Sequence, residues 1–187
     1  MNENQRLVPK GDDNRFNLTF IGRLDKYQKG LDFLADIMSL VSERSNNYKY
    51  NLNIIGDGPY KVELVEALSD VCDRYSNFSF HVYGWVDNAS ALMPGFDLII
   101  MPSRLEGIPT VMIEAIKNKI NIVAFNIDGV NNVLCDESLV DCFDRSAMAD
   151  RIIEMCMGNA KTTYDQTYVD VLFNPERFQK EIISIFN

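Results

Sequence analysis

Two short stretches of this chain bring cations and carboxylates together at spacings that suit a phosphorylated ligand. The first is Gly22-Arg23-Leu24-Asp25-Lys26-Tyr27-Gln28-Lys29-Gly30. Arg23 and Lys29 share one loop that runs into a helical pattern. Two cations beside a helix N-terminus, whose first amides have no intrahelical acceptor, suit a diphosphate. Gly22 permits a tight exit and a close approach of ligand. An isolated Arg–Lys pair is more often solvated surface charge; the position of the loop is what favours binding here. The second stretch runs Pro102-Ser103-Arg104-Leu105-Glu106-Gly107-Ile108-Pro109-Thr110-Val111-Met112-Ile113-Glu114-Ala115. Glu106 precedes a helix that starts near Pro109, so its carboxylate lies beside free N–H groups. Helical rise sets Glu106 and Glu114 on the order of 10 Å apart. That spans a ribose to a hexose and is too wide for an assured acid–base pair. Taken alone, the two glutamates read as a helix cap and a satisfied buried carboxylate.

Two further loops carry less information. Gly56-Asp57-Gly58-Pro59 is a tight strand-to-helix turn. Gly84-Trp85-Val86-Asp87-Asn88 is either a slot for a planar base or a simple packed loop, and Trp85 is expected to be partly buried in the core. His81 falls within a strand and reads as core or sheet surface rather than as a general base.

These loops need a scaffold, and the hydrophobic pattern supplies one. Apolar runs at Phe16–Ile21, Leu52–Ile55, Phe78–Tyr83, Leu98–Met101, Ile122–Phe125 and Leu139–Phe143 alternate with helical stripes. The stripes include Leu31, Leu34, Ile37, Met38 and Val41, then Val62, Val65, Leu68, Val71 and Cys72, with later ones over Val111–Ile116 and Met148–Met155. The alternation predicts an α/β fold: a doubly wound, Rossmann-like parallel sheet with helices on both faces. Ligands of such sheets bind beyond the carboxyl ends of the strands, where all four loops fall. Residues 1–15 read as a polar lead-in and 16–187 as one domain. Asn174–Asn187 predicts a terminal helix whose Phe178, Ile182, Ile183 and Phe186 pack on the outside of the domain or on something absent.

Composition narrows the function classes. A chain of 187 residues allows one domain with a proper core. The net charge of -9 disfavours nucleic acid and anionic membranes as general partners. No apolar run approaches the roughly 20 residues of a membrane span, and the polar N-terminus has no apolar leader, so a cytoplasmic protein is expected. Cys72, Cys135, Cys142 and Cys156 form no CxxC pair and read as free thiols, and no metal is expected. The chain has no GxGxxG pattern and no Tyr-x3-Lys pair, which argues against an oxidoreductase or epimerase.

Together the motifs carry a resemblance. GRL-x4-KG, GDGP and PSxxEGxPxxxxEA, in this order at strand ends, resemble the family-4 retaining glycosyltransferases of the GT-B fold, which has two Rossmann-like domains. The resemblance covers roughly Phe16 to Leu134, and the terminal helix is also similar. It implies that this chain is the C-terminal, nucleotide-sugar-binding half. By that likeness Arg23 and Lys29 contact the donor diphosphate and steady the leaving group. Glu106 approaches hydroxyls of the transferred sugar, and Glu114 holds the ribose. The amides of Gly107, Ile108, Pro109, Thr110 and Val111 form the segment facing the phosphates, with Pro109 itself contributing no N–H. Val86 lies near the base, and Gly22 lets the loop close. No cofactor or metal is implied, since the cations and amides do that electrostatic work. Lys119 and Asn121 stand where relatives often carry Gly and Pro, and Asp128-Gly129-Val130-Asn131-Asn132 departs from a Gly-Gly-x-x-Glu element.

The resulting expectation is the donor domain of a hexosyltransferase that moves a sugar from a nucleoside-diphosphate sugar to a saccharide or glycolipid. Its setting would be bacterial-type surface polysaccharide assembly, in the cytoplasm or at the inner membrane face through an absent domain. The acceptor side would come from a missing N-terminal domain or a partner subunit, and the chain alone would be inactive. The alternative is a free-standing module that binds a nucleotide sugar or a partner subunit without catalysis.

Overall fold

The computed structural model describes residues 14–172. Six strands form one sheet: β1 (Arg15–Ile21), β2 (Lys49–Ile55), β3 (Phe78–Gly84), β4 (Leu98–Met101), β5 (Asn121–Phe125) and β6 (Leu139–Val140). Their order is β3-β2-β1-β4-β5-β6, and every pairing is parallel. The order reverses at β1, which places Leu18 between Leu52 of β2 and Leu98 of β4. All three leucines are buried. Each contributes about 1.5–3 kcal/mol by leaving water. This is the expected doubly wound fold, and its reversal opens a crevice between the ends of β1 and β4.

Helices form over all the stripes, but the second buries Leu64 rather than Val62, which is 66% exposed, because Leu64, Leu68 and Val71 are the residues that share one helical face. Leu34, Ile37, Met38 and Val41 are the buried apolar face of α1 (Leu34–Arg44), which a 3-10 turn over Leu31–Phe33 introduces. Leu64, Leu68 and Val71 bury one side of α2 (Lys61–Arg74). Met112, Ala115 and Ile116 do the same for α3 (Thr110–Lys117). In α4 (Arg145–Cys156) the buried set is Met148, Ala149, Ile152 and Met155, and the Asp144 carboxylate accepts from the Ala147 N–H to cap its start. A short α5 covers Gln166–Leu172. The two halves of the sheet are joined on the helical side, where α1 packs on α4. Arg44 Nη1 there meets Asp150 Oδ1 at 2.6 Å.

Three features differ from the sequence expectation or lie beyond it. The last apolar run stays extended only as far as Val140. Phe143 has φ 67°, which no strand accommodates, and Asp144 then begins the cap of α4. The connection from β3 to β4 holds only a 3-10 segment, Ala89–Gly95, with Pro94 inside it. The nearly continuous apolar runs also conceal a polar ladder on one face of the sheet. Buried Asn51 Nδ2 donates to Asn17 Oδ1 at 3.2 Å and to Asn53 Oδ1 at 3.1 Å, and Tyr83 Oη donates to Asn53 at 3.3 Å. These mutual bonds meet the cost of burying amides. The expected helix over 174–187 lies outside the described residues.

Candidate functional site

The loops after β1, β2 and β3 and the start of α3 enclose a cavity of about 420 Å³ at the carboxyl end of the sheet. Its size is that of a small-molecule site. Gly22, Arg23 and Lys29 reach it from the first loop, Val86 from the third, and Pro109, Thr110, Val111 and Glu114 from α3. Glu106 sits beside it through Lys29, while Gly107 and Ile108 are exposed on the approach to α3. A roomier hollow of about 480 Å³ opens between α1 and the start of α4. There Arg145 is paired with Asp36 and Arg74 Nη2 donates to Ser39, so the charges are already used. The residues expected to bind a donor line the smaller cavity instead.

Within it, the cations differ in their surroundings. The Lys29 stem runs over Gly22, where an added Cβ would lie 3.7 Å from Lys29 Cε. Lys29 Nζ meets Glu106 Oε1 at 2.6 Å, and the same oxygen accepts from Ser103 Oγ at 2.6 Å. The two charged side chains are 19% and 7% exposed, so removing either leaves a poorly solvated charge. Glu106 is thus a partner of Lys29 and Ser103, and the cap reading is corrected: no side chain caps α3. An uncapped start leaves first-turn N–H groups available to an anion. Arg23 is exposed and has no ion-pair partner among the described residues. Glu114, half-buried on the second turn of α3, faces the same cavity.

Backbone contacts lock the loops to one another. The Gly22 N–H donates to Ile55 at 3.0 Å, and the Gly56 N–H donates to Gly84 at 2.8 Å. Leu24 exchanges bonds with the second loop through Asp57 and Tyr60, both at 3.0 Å. Gly30 has φ 62°, and a Cβ there would lie 1.8 Å from the Pro102 carbonyl oxygen. The β1 loop can therefore close on the β4 exit only with glycine at 30. Gly129 plays a similar part behind the β4 loop: its φ is 82°, and a Cβ would lie 1.8 Å from the Gly107 oxygen. One glycine of the divergent Asp128–Asn132 element thus still backs the segment that leads into α3.

Two residues of the site escaped the sequence reading. Arg104 donates through Nη1 and Nη2 to Asp32, both at 2.7 Å, and its guanidinium lies 3.9 Å from the Phe33 ring centroid. Nη1 also reaches the carbonyls of Lys26 and Tyr27, at 3.3 and 3.1 Å. Arg104 holds the Asp32 carboxyl below the ordinary carboxylate range, chiefly through these hydrogen bonds. The signal was present in Ser103-Arg104 and in Gly30-Leu31-Asp32, but the pairing joins positions 72 apart in sequence. Trp85 is the other. It is 76% exposed instead of buried in the core, its Nε1 donates to Asp87 Oδ1 at 3.0 Å, and it lines the cavity beside Val86. Among the described residues, none covers the ring enough to bury it. His81 is exposed on the edge strand β3, against Tyr83. Among the described residues, no group of three or more His, Cys, Asp or Glu side chains could hold a metal ion.

Residues 15–157 match the family described as glycosyl transferases group 1. A 41.2 kDa protein of the cps region of Klebsiella pneumoniae is 32% identical over 126 residues, 65% of this chain and 31% of that protein. A Campylobacter jejuni GalNAc-alpha-(1->4)-GalNAc-alpha-(1->3)-diNAcBac-PP-undecaprenol alpha-1,4-N-acetyl-D-galactosaminyltransferase is 27% identical over 169 residues, 88% of this chain and 40% of that enzyme. The chain therefore spans well under half of these relatives. Among solved structures, the lipopolysaccharide outer core galactosyltransferase WaaB superposes with a TM-score of 0.77 at 17% identity, over 95% of this chain and 51% of that one. TarM of Staphylococcus aureus, solved with UDP, superposes with a TM-score of 0.73 at 20% identity, over 97% of this chain and 37% of that one.

Proposed function

We propose, from the premise that this chain belongs to the group 1 glycosyl transferases, that it is the donor-binding part of a retaining sugar transferase of the family-4, GT-B type. The observation that carries the proposal is the convergence of Arg23, Lys29 and the uncapped start of α3 on one cavity that also holds Glu114. Cations and helix amides together complement a diphosphate. In this reading the diphosphate lies against Arg23, Lys29 and the amides that lead into α3. The ribose hydroxyls bond to Glu114, and the base lies against Val86 and Trp85. Glu106, fixed by Ser103 and Lys29, meets hydroxyls of the transferred sugar. As the glycosidic bond breaks, negative charge grows on the leaving diphosphate, and the two cations stabilise it without reorganising.

The acceptor is bound outside this chain, by a further domain or a partner subunit, so residues 16–187 act as the donor domain and transfer nothing alone. No metal or cofactor is assigned to this domain. Similarity to an enzyme named for an undecaprenol-linked glycan acceptor supports a surface-glycan acceptor, reached from the cytoplasm or the inner membrane face. No described helix is long and apolar enough to cross a membrane.

A thermal-shift screen with UDP, GDP and ADP, and with their sugars, tests the reading. A ligand at about 100 times its Kd stabilises the folded state by about 2.7 kcal/mol, which in a domain of this size raises Tm by about 5–10 °C. One base series is expected to do so. No shift from any of the six ligands would contradict donor binding.

A further inference from the structure

We infer that Arg104 is a positioning residue that holds Lys29 in place for the donor phosphates. The inference rests on the donor-binding reading above and adds a residue that touches no part of the proposed ligand. Its basis is the arrangement around one guanidinium. Residues 26–33 wrap it on three sides: the carbonyls of Lys26 and Tyr27, the carboxylate of Asp32 and the face of Phe33. The Tyr27 ring centroid lies 5.0 Å from it on the exposed side. The Arg104 backbone N–H also donates to the Gln28 carbonyl at 2.9 Å. Lys29 follows directly in the chain, so its backbone is held by residues on both sides.

The same segment fixes the opposite partner. Arg104 lies between Ser103 and Glu106, which share Glu106 Oε1 with Lys29. The cation and its carboxylate are therefore presented by two loops joined at one side chain. Lysine cannot replace arginine here, because a single ammonium does not supply two parallel bonds to Asp32, two more to carbonyls and a flat face for Phe33. Without the guanidinium, Lys29 stays on a loop tethered at Gly30 but free to carry its amine away from the phosphates. A phosphate contact depends on such preorganisation, whereas a nucleoside contact through Glu114 and the β3 loop does not.

A double-mutant cycle tests this, using the whole chain, titration calorimetry, and uridine and UDP as probes. If the screen selects another base, its nucleoside and diphosphate replace them. The readout is the ratio of nucleoside to diphosphate Kd, which a mere loss of folded protein does not change once only folded protein is counted. R104Q is expected to lower UDP affinity about tenfold, the size of one charge-assisted bond, and to leave uridine binding within about twofold. R104K should fall nearly as far. In a K29A background, R104Q should add less than about twofold, because the group it positions is gone. D32N, a smaller change, should reproduce the direction and keeps the test available if R104Q folds poorly. Independent, additive losses in R104Q and K29A would overturn the inference, as would an R104Q chain with an unchanged ratio. A wild-type chain that binds no nucleoside diphosphate more tightly than its nucleoside would instead remove the donor-binding reading, and the inference with it.

Discussion

The two ends of the cavity are held in unlike ways. At the end formed by the β1 and β4 loops, Gly30 touches the Pro102 carbonyl, Arg104 draws in residues 26–33, and Glu106 pairs with Lys29. At the other end, the β3 loop projects Trp85 into solvent with one side-chain bond to Asp87. The difference follows the chemistry proposed for each end. Charged ligand groups reward a rigid, preorganised partner, since reorientation costs much of the electrostatic gain. A base reward is mostly stacking and apolar contact, which tolerates a looser surface.

Two glycines make the comparison quantitative. Gly30 and Gly84 both have left-handed backbones, with φ 62° and 71°. A Cβ at Gly30 would strike the Pro102 oxygen at 1.8 Å, whereas one at Gly84 would meet nothing within 4 Å. Gly30→Ala should therefore destabilise by about 3 kcal/mol or more, and Gly84→Ala by only about 1 kcal/mol from backbone strain. Urea unfolding of both variants measures this. Equal losses would show that the two loops are equally constrained.

A smaller effect is expected at the exposed ring. Trp85→Ala should weaken nucleoside and nucleoside diphosphate alike, about tenfold. Stability should change by no more than about 0.5 kcal/mol, because the ring is already in water. Trp85 is the single tryptophan of the chain, so its fluorescence reports directly on base contact. Nucleotide binding without any change in that emission would place the base elsewhere.

The smallest effect concerns pH. The Asp32 carboxyl sits below its ordinary value of 3.8 because of Arg104. Its contribution is therefore fully present above that value and is lost as pH falls through the lower, folded-state pKa. The stability difference between wild type and Asp32→Asn should shrink on going from pH 6 to pH 3, read by urea unfolding at each pH. A difference that stays constant would show that the ion pair does not couple to folding.

Most of this architecture was legible from the apolar pattern, continuous in the strands and periodic in the helices. The strand runs gave all six strands because most of them are buried along nearly their whole length, and the stripe from Leu34 to Val41 gave α1, since burial on a helix repeats every 3.6 residues. The site loops were found for a related reason: glycines and cations just past strand ends are local signals. What stayed hidden was non-local or compensatory. Arg104 and Asp32 lie far apart along the chain, and neither breaks a local rule. Asn17 and Asn53 sit inside runs that read as apolar and Asn51 directly precedes one, and their mutual bonds account for their burial. Trp85 reads as a core residue because large rings usually are partly buried, and no sequence pattern announces its exposure. The last strand stops at Val140, and Phe143 beyond it takes a left-handed φ that its residue type does not announce.

The central claim is that the β1-loop cations bind the donor diphosphate, and one titration series tests it most directly. Arg23→Ala and Lys29→Ala are measured by calorimetry against uridine and UDP, or the pair the screen selects. Each variant is expected to lose ten- to a hundredfold in diphosphate affinity, from about 1.5–3 kcal/mol of charge-assisted bonding, while nucleoside affinity stays within about twofold. Equal losses for both ligands would mean that Arg23 and Lys29 only maintain the fold, and no loss for either would place the phosphates away from the β1 loop.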